Sequence, residues 1–431
     1  MVYFTIIRKK YEHLYKVGMN TMSDKVKYPH IYFCQLHQLS YSSDYFIGFY
    51  HNAFSLRVII IPDGCETEVY DWSLPYSNCF ILSEPYPVFD IKTLKKFDIP
   101  INNNYIDEVC KRRKFDVLAY LIEKNKLNGY EKRAMNYATY IKGSGTELLE
   151  WWLKNSTLST SQLEYTTSVI DYLADSFSED TCIKKLRWWF DSGLPLKYTN
   201  TAMDNASSRG YVKLLQMWKD SGHKLKYSKD SMDSASGNGK TNALQWWVES
   251  GLPLKYSESA INSASGYNKI NALIWWKNSK LPLKYDEFAM DEASQHCHLH
   301  ILKWWKNSKL PLKYSENAID ELPTFNPNLI DIKNPKYNDT INAIKATLSW
   351  WFKHGLESGL ELKYTEKALK NLCKYSLCDV LELWKNSGYP LKYDLNMLYT
   401  IRSMSWSIHK ILKQNVFNWW KTSGLPINLP N

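Results

Sequence analysis

The chain lacks most of the short signatures that announce chemistry. There is no GxSxG, HExxH, P-loop or GxGxxG motif, so no nucleophile–base pair, metalloprotease site or phosphate cradle is legible. The eight cysteines (Cys34, Cys65, Cys79, Cys110, Cys182, Cys297, Cys373, Cys378) form no CxxC pair. Reduced thiols in an intracellular protein are the simplest expectation from that. No stretch approaches about 18 uninterrupted apolar residues, which argues against a membrane span. The opening MVYFTIIRKKYEHLYKVG has no sustained apolar core or small-residue cleavage site, unlike a signal peptide. Strong charge is also missing. Lys and Arg exceed Asp and Glu by 54 to 44, a net +10, short of the clustered basic profile of a dedicated nucleic-acid binder.

What the chain has is tryptophan at a fixed interval. The second Trp of a recurring pair falls at Trp189, Trp218, Trp247, Trp276 and Trp305, in steps of 29 residues, and looser steps extend the series to Trp152, Trp351, Trp384 and Trp420. Such a period identifies a solenoid. The first Trp of the pair becomes Met217 and Leu383 in two copies, which points to a core position where an aliphatic side chain suffices. The second persists. Adjacent helical residues point about 100° apart, so one Trp fills the inter-repeat core and the other covers the flank against the next helix pair. A stacking ladder for single-stranded nucleic acid is the sharper alternative.

Each repeat reads as two helices. Thr166, Thr199, Ser228, Ser257, Asp286, Ser315, Thr365 and Asp394 stand at one N-cap position. A Tyr precedes each cap, and an apolar residue follows four positions later, from Ile170 and Met203 to Leu398. That spacing is the hydrophobic staple, which makes the Tyr column structural. Gly210, Gly239, Asn268 and Cys297 share the turn between the helices, with Ala206, Ala235, Ala264 and Ala293 just before it. The second helix ends at Ser-Gly in most copies (Gly193, Gly222, Gly251, Gly359, Gly388, Gly424), but at Lys280 and Lys309 in two. Pro195, Pro253, Pro282 and Pro311 follow and prevent continuation.

Residues 1–100 carry no repeat. Short apolar runs at His30–Cys34, Leu56–Ile61, Glu66–Trp72 and Cys79–Leu82, with Pro62-Asp63-Gly64 between two of them, predict a small mixed α/β or β-rich domain. The expectation is therefore a mainly α protein: domain 1–100, then a helix-pair solenoid over 101–431 with about ten pairs and irregular terminal pairs. One insertion falls around 155–165 or 175–185. A larger one lies near 323–340, within PTFNPNLIDIKNPKYNDT, a tolerated loop or part of a binding face.

The order helix, Gly turn, Leu-rich helix, Ser-Gly stop in ASSRGYVKLLQMWKDSG (206–222) resembles the ankyrin repeat. The Thr-Pro-Leu-His signature is absent, and 29 residues replace about 33. The shortfall lies in the connector where ankyrin places its β-hairpin, so the resemblance implies an ankyrin-like solenoid with shortened fingers. WWKNSKLPLKYSE (304–316) and WWKNSKLPLKYDE (275–287) resemble ankyrin-like proteins of giant viruses of the mimivirus group. That resemblance implies host–virus protein–protein interaction in the host cytoplasm, the nucleus or the virion, with no enzymatic residues and no cofactor. No F-box-like Leu-Pro segment accompanies it.

One charged column recurs in the Leu-Lys-Tyr connectors: Lys197, Lys226, Lys255, Lys284, Lys313, Lys363 and Lys392. Stacked repeats would align these as a ridge for an acidic partner or a phosphate backbone, or simply as a solvated row near helix ends. Asp204, Asp233, Asn262, Asp291 and Asp320 form a polar column that would partly neutralise it. His296-Cys297-His298-Leu299-His300 has zinc-suited side chains but no second ligand pair, so no metal is expected. The functional expectation is a scaffold whose concave surface of first helices and connectors binds a host or viral protein. A basic nucleic-acid-binding solenoid and a structural virion component are the alternatives.

Overall fold

The computed structural model describes residues 3–8, 15–21, 31–32, 34, 53–65, 67–68, 76–77, 79–127, 129–141, 145–156, 163–322, 336–358, 360–395, 397 and 410–426. It is mainly helical, with a small antiparallel sheet region at the N-terminal end. The chain divides into two compact units, 1–198 and 199–431.

In the first unit, strands β1 (Tyr3–Arg8), β2 (Gly18–Thr21), β4 (Ala53–Ile60) and β7 (Cys79–Leu82) order as β1-β4-β7-β2, and β8 (Tyr86–Pro87) pairs with β4. Strands β3 (Ile31–Tyr32), β5 (Thr67–Glu68) and β6 (Tyr76–Ser77) form a separate three-stranded sheet in the order β3-β6-β5. Strand alternation puts Ile59, Phe80 and Leu82 into a core with Ile7, and turns Met19, Ile60 and Ile81 outward. The four apolar runs read from sequence all contain a strand. β1, β2, β6 and β8 are additional. Cys65 and Cys79 are joined as a disulfide, with Cα atoms 5.7 Å apart, which corrects the expectation of eight reduced thiols. Cys34, Cys110, Cys182 and Cys373 are free and buried, and burial pushes each thiol up to about 12.

Helices α1 (Ile91–Lys96), α2 (Asn103–Lys111), α3 (Phe115–Glu123), α4 (Glu131–Tyr140), α5 (Glu147–Asn155), α6 (Ser168–Asp171), α7 (Leu173–Ser176) and α8 (Glu179–Asp191) complete the first unit. Asp90 and Asn102 cap α1 and α2 through side-chain oxygens. The Tyr105 hydroxyl donates to the carbonyl of Val88, tying α2 to the end of the sheet region. Lys185 is fully buried; its Nζ donates to the carbonyl of Thr139 at 2.7 Å and sits 4.6 Å from the Phe177 ring centroid. Of the shorter insertion, residues 157–162 lie outside the described residues.

The second unit is a stack of helix pairs: α9 (Thr201–Arg209) with α10 (Val212–Asp220), α11 (Asp230–Gly237) with α12 (Thr241–Glu249), α13 (Ser259–Gly266) with α14 (Ile270–Asn278), and α15 (Phe288–Gln295) with α16 (Leu299–Ser308). Next come α17 (Asn317–Asp320) with the long α18 (Lys336–Ser358), α19 (Glu366–Lys374) with α20 (Cys378–Lys385), and α21 (Lys410–Thr422). Residues 323–335 of the expected insertion and the staple residue Leu398 lie outside the described residues. Residues 336–340 begin α18.

The turn column is left-handed throughout, with φ of 75° at Gly210, 69° at Gly239, 64° at Asn268 and 54° at Cys297. Glycine is the usual occupant because a Cβ costs roughly 1–2 kcal/mol there. Small residues serve close packing. Ala206, Ala235, Ala264 and Ala293 are fully buried, and a Cβ at Gly266 would stand 2.9 Å from that of Glu292 on the next first helix.

Candidate protein-binding surface

Three side-chain networks fix each repeat and decide which columns are left for a partner. The first closes a repeat on itself. Tyr227 lays its ring on Trp247 with centroids 4.6 Å apart, and its hydroxyl donates to the carbonyl of Pro253. Tyr256, Tyr285, Tyr364 and Tyr393 repeat both contacts with Trp276, Trp305, Trp384 and Trp420 and with the corresponding prolines. The staple reading thus found a structural Tyr, but the ring partner the structure gives it is Trp.

The connector lysines belong to the same closure. Lys255 Nζ donates to the carbonyl of Tyr227 at 3.0 Å and lies 4.4 Å from that ring's centroid. Lys197 does the same at Tyr165, Lys284 at Tyr256, Lys313 at Tyr285, Lys363 at Tyr314 and Lys392 at Tyr364. Lys226 is engaged as well. The other six ammonium groups share one local role, a cation–π contact plus a charge-assisted hydrogen bond.

The second network joins consecutive repeats through their caps. Ser228 donates from its backbone N–H to Asp204 Oδ1 at 3.0 Å and from its hydroxyl to Oδ2 at 2.6 Å, while its Oγ accepts from the Asp230 N–H. Ser257 on Asp233, Ser315 on Asp291 and Thr365 on Asp320 repeat the arrangement. Thr365 is the N-cap of α19. Thr199, Ser228, Ser257, Asp286 and Ser315 stand one residue ahead of the cap position and accept the N–H two residues on, and the four Ser and Thr side chains named above are gripped by the preceding repeat. The sequence reading had the Asp column partly neutralise the lysines; instead its aspartates, Asp204, Asp233, Asp291 and Asp320, are buried and hold caps. Burial pushes the Asp204, Asp233 and Asp291 carboxyls above their ordinary range, and the serine hydrogen bonds oppose that rise.

The third network concerns the tryptophans. All nine second Trp residues are less than 2% exposed. Trp247 Nε1 donates to Ser207 Oγ of the preceding repeat at 2.8 Å, and that hydroxyl donates onward to the carbonyl of Ser231. Trp276 on Ser236, Trp305 on Ser265 and Trp351 on Ser294 follow suit, and Trp420 uses Cys373 Sγ. The first Trp is the flanking one. Trp246 and Trp275 lean on the preceding second helix and donate to Gln216 and Gln245. This reverses the sequence inference: the replaceable column is the flank, and the persistent column is the core. In these five repeats an aliphatic replacement would orphan the serine or thiol partner, whereas Trp189 and Trp384 are as deeply buried with no partner at Nε1, so volume alone holds the column there.

At the histidine cluster, the His296 and His298 rings stack with centroids 5.6 Å apart, and burial takes His298 down to about 4. Among the described residues, no group of three or more His, Cys, Asp or Glu side chains could hold a metal ion. Likewise, no described helix is long and apolar enough to cross a membrane.

Outside these networks the first helices present columns that change from copy to copy: Thr201, Asp230, Ser259, Phe288 and Asn317 at one position, and Arg209, Asn238, Tyr267 and His296 at another. Phe288 is 54% and Tyr267 61% exposed, a level unusual for large aromatics.

No protein-family model and no curated protein matches the chain. Among solved structures, it is similar to the human ASB11 ankyrin repeat domain at 11% identity over 53% of this chain and 99% of that one, with a TM-score of 0.34. It is also similar to the pentatricopeptide repeat protein PPR10 in complex with an 18-nt psaJ RNA element, at 11% identity over 79% and 52% of the two chains, with a TM-score of 0.26. Both likenesses are too distant to bear on function, and the helix-pair stack stands on its own hydrogen bonds.

Proposed function

We propose that the chain is a protein-interaction scaffold whose binding face is formed by the outward positions of the first helices and turns. The supporting observation is the contrast between columns. Positions inside the three networks vary within narrow limits from repeat to repeat, such as Ser, Thr or Asp at the cap and Asp or Asn in its grip, while the outward positions beside them differ in charge, size and polarity. A rigid frame with a varied surface suits recognition of one irregular protein surface, and Tyr267 and Phe288 are the aromatic anchors such interfaces concentrate energy on. The partner is a host or viral protein in this reading, its viral side resting on the connector wording WWKNSKLPLKY alone. A phosphate-binding ridge along the connector lysines has less support, because each ammonium with a described partner is turned onto a tyrosine.

The test is affinity capture from cell lysate with the full chain and with Tyr267→Ser/Phe288→Ser. The scaffold reading expects a specific partner retained by the parent chain and lost by the variant, with unchanged melting. Equal capture by both would sink this choice of face.

A further inference from the structure

Two repeats depart from the others on the opposite, second-helix side. At the position two residues after the buried Trp, the chain has Asp191, Asp220 and Glu249, then switches to Asn278 and Asn307. At the position four residues after it, Gly193, Gly222 and Gly251 give way to Lys280 and Lys309. Both lysines keep the left-handed backbone of the glycines they replace, with φ of 61° and 62°. A left-handed backbone that glycine adopts freely is strained for lysine. Strain retained against an available alternative directs attention to function.

The surroundings agree. Residues 268–285 and 296–314 contain eight lysines and not one Asp or Glu. On the outer faces of α14 and α16, Lys277 and Lys303 occupy exposed positions, as do Lys280 and Lys309 at the helix ends. Among the described residues none of these four makes an ion pair, whereas Lys306 is hydrogen-bonded with His354 Nδ1. Beside them Ile274 is 42% and Val248 38% exposed. Basic charge on the two repeats that accept the strain, with an apolar strip running from Ile274 on α14 to Val248 on the neighbouring α12, is a surface built for an occupant.

We propose that the outer faces and C-terminal ends of α14 and α16 dock an acidic, amphipathic segment of a partner protein. Its carboxylates meet Lys277, Lys280, Lys303 and Lys309, and its apolar side chains cover Ile274 on α14 and Val248 on the adjoining α12. Charge complementarity selects an acidic partner, and the exposed aliphatic residues select a peptide. A nucleic-acid strand would want open aromatic faces, but Trp275 is pinned to the preceding helix through Gln245. This site is separate from the first-helix face, so either can fail without the other.

The probe is a fluorescein-labelled amphipathic helix of Glu and Leu, about 16 residues or roughly 24 Å long, titrated against the full chain by anisotropy at near-physiological salt. A Glu/Ser peptide of equal charge and an oligo-dT strand serve as comparisons. Saturable binding of the Glu/Leu peptide is expected, weakened about tenfold or more by Lys277→Glu/Lys303→Glu and several-fold by Ile274→Ser, for roughly 1.4 kcal/mol per decade. Lys280→Gly/Lys309→Gly should raise the melting temperature while weakening the peptide several-fold, an opposition that a merely structural lysine would not produce. The proposal is overturned by no saturable binding, by equal affinity for the Glu/Ser peptide or oligo-dT, or by glycine variants that bind as tightly as the parent.

Discussion

Asn262 donates from Nδ2 to Asp286 Oδ1 at 2.6 Å, and of the five cap junctions described in the second unit this is the one where the cap is a carboxylate. Elsewhere an Asp grips a Ser or Thr. Here the polarity is exchanged, because two carboxylates at that distance could not both ionise. Asn262→Asp should therefore destabilise the chain by about 2–4 kcal/mol, and adding Asp286→Ser should restore most of the loss by recreating the ordinary Asp–Ser grip. Denaturant unfolding of the two single variants and the double variant reads the coupling directly. Additive effects would mean the pair is incidental.

The Trp–Ser link predicts unequal costs at its two ends. Trp247→Ala removes a fully buried side chain and should cost about 3–5 kcal/mol. Ser207→Ala leaves the cavity filled but orphans the indole N–H, and about 1–3 kcal/mol is expected. Equilibrium unfolding checks both. A Ser207→Ala variant as stable as the parent would remove the explanation offered for the persistent tryptophan.

Lys185 gives a pH signature. Burial pulls its ammonium down to about 8 from an ordinary 10.5. Between those values the unfolded chain holds the proton more tightly than the folded one, so this residue makes stability rise with pH across that window. Many tyrosines are shifted upward by burial and act oppositely above 10, so the measurement is a difference. Stability of the parent minus that of Lys185→Met should increase from pH 8 toward 10.5, and a flat difference would mean the buried amine is not desolvated.

Gly266→Ala poses a conflict of signs. Alanine favours a helix interior by about 1 kcal/mol over glycine, yet its Cβ would meet that of Glu292 at 2.9 Å. Because both atoms are anchored to backbone, net destabilisation is expected in thermal melts, with Glu292→Gly on α15 relieving the clash between them.

Much of this arrangement was readable beforehand. The period, the helix pairs, the caps and the left-handed turn all depend on local chemistry within a few residues, which spacing exposes. The networks depend on partners 24 or 40 residues away, and nothing at Ser207 announces an indole arriving from the next repeat. The Asp column was misread for the same reason: a sequence displays charge, whereas burial is a property of the stack. Strand β1 was missed because no turn residues bound the apolar run at Tyr3–Arg8. The Cys65–Cys79 bond was missed because a spacing of 14 carries no motif. Of the candidate site, the connector lysines were visible as a column, but their tyrosine partners were not. The Lys280 and Lys309 exceptions were visible, and gained meaning only with the backbone angle.

The serine hydroxyls and aspartates that grip each repeat always belong to the repeat before it. A ribosome therefore releases every receptor before the tryptophan and cap that will use it, at a few residues per second. Each new helix pair meets a finished surface with acceptors already in place. Deleting repeats from the two ends is consequently not equivalent. A chain shortened from its C-terminal side leaves small hydroxyl and carboxylate acceptors that water can satisfy, whereas one shortened from its N-terminal side turns the apolar surface of a core tryptophan out to solvent.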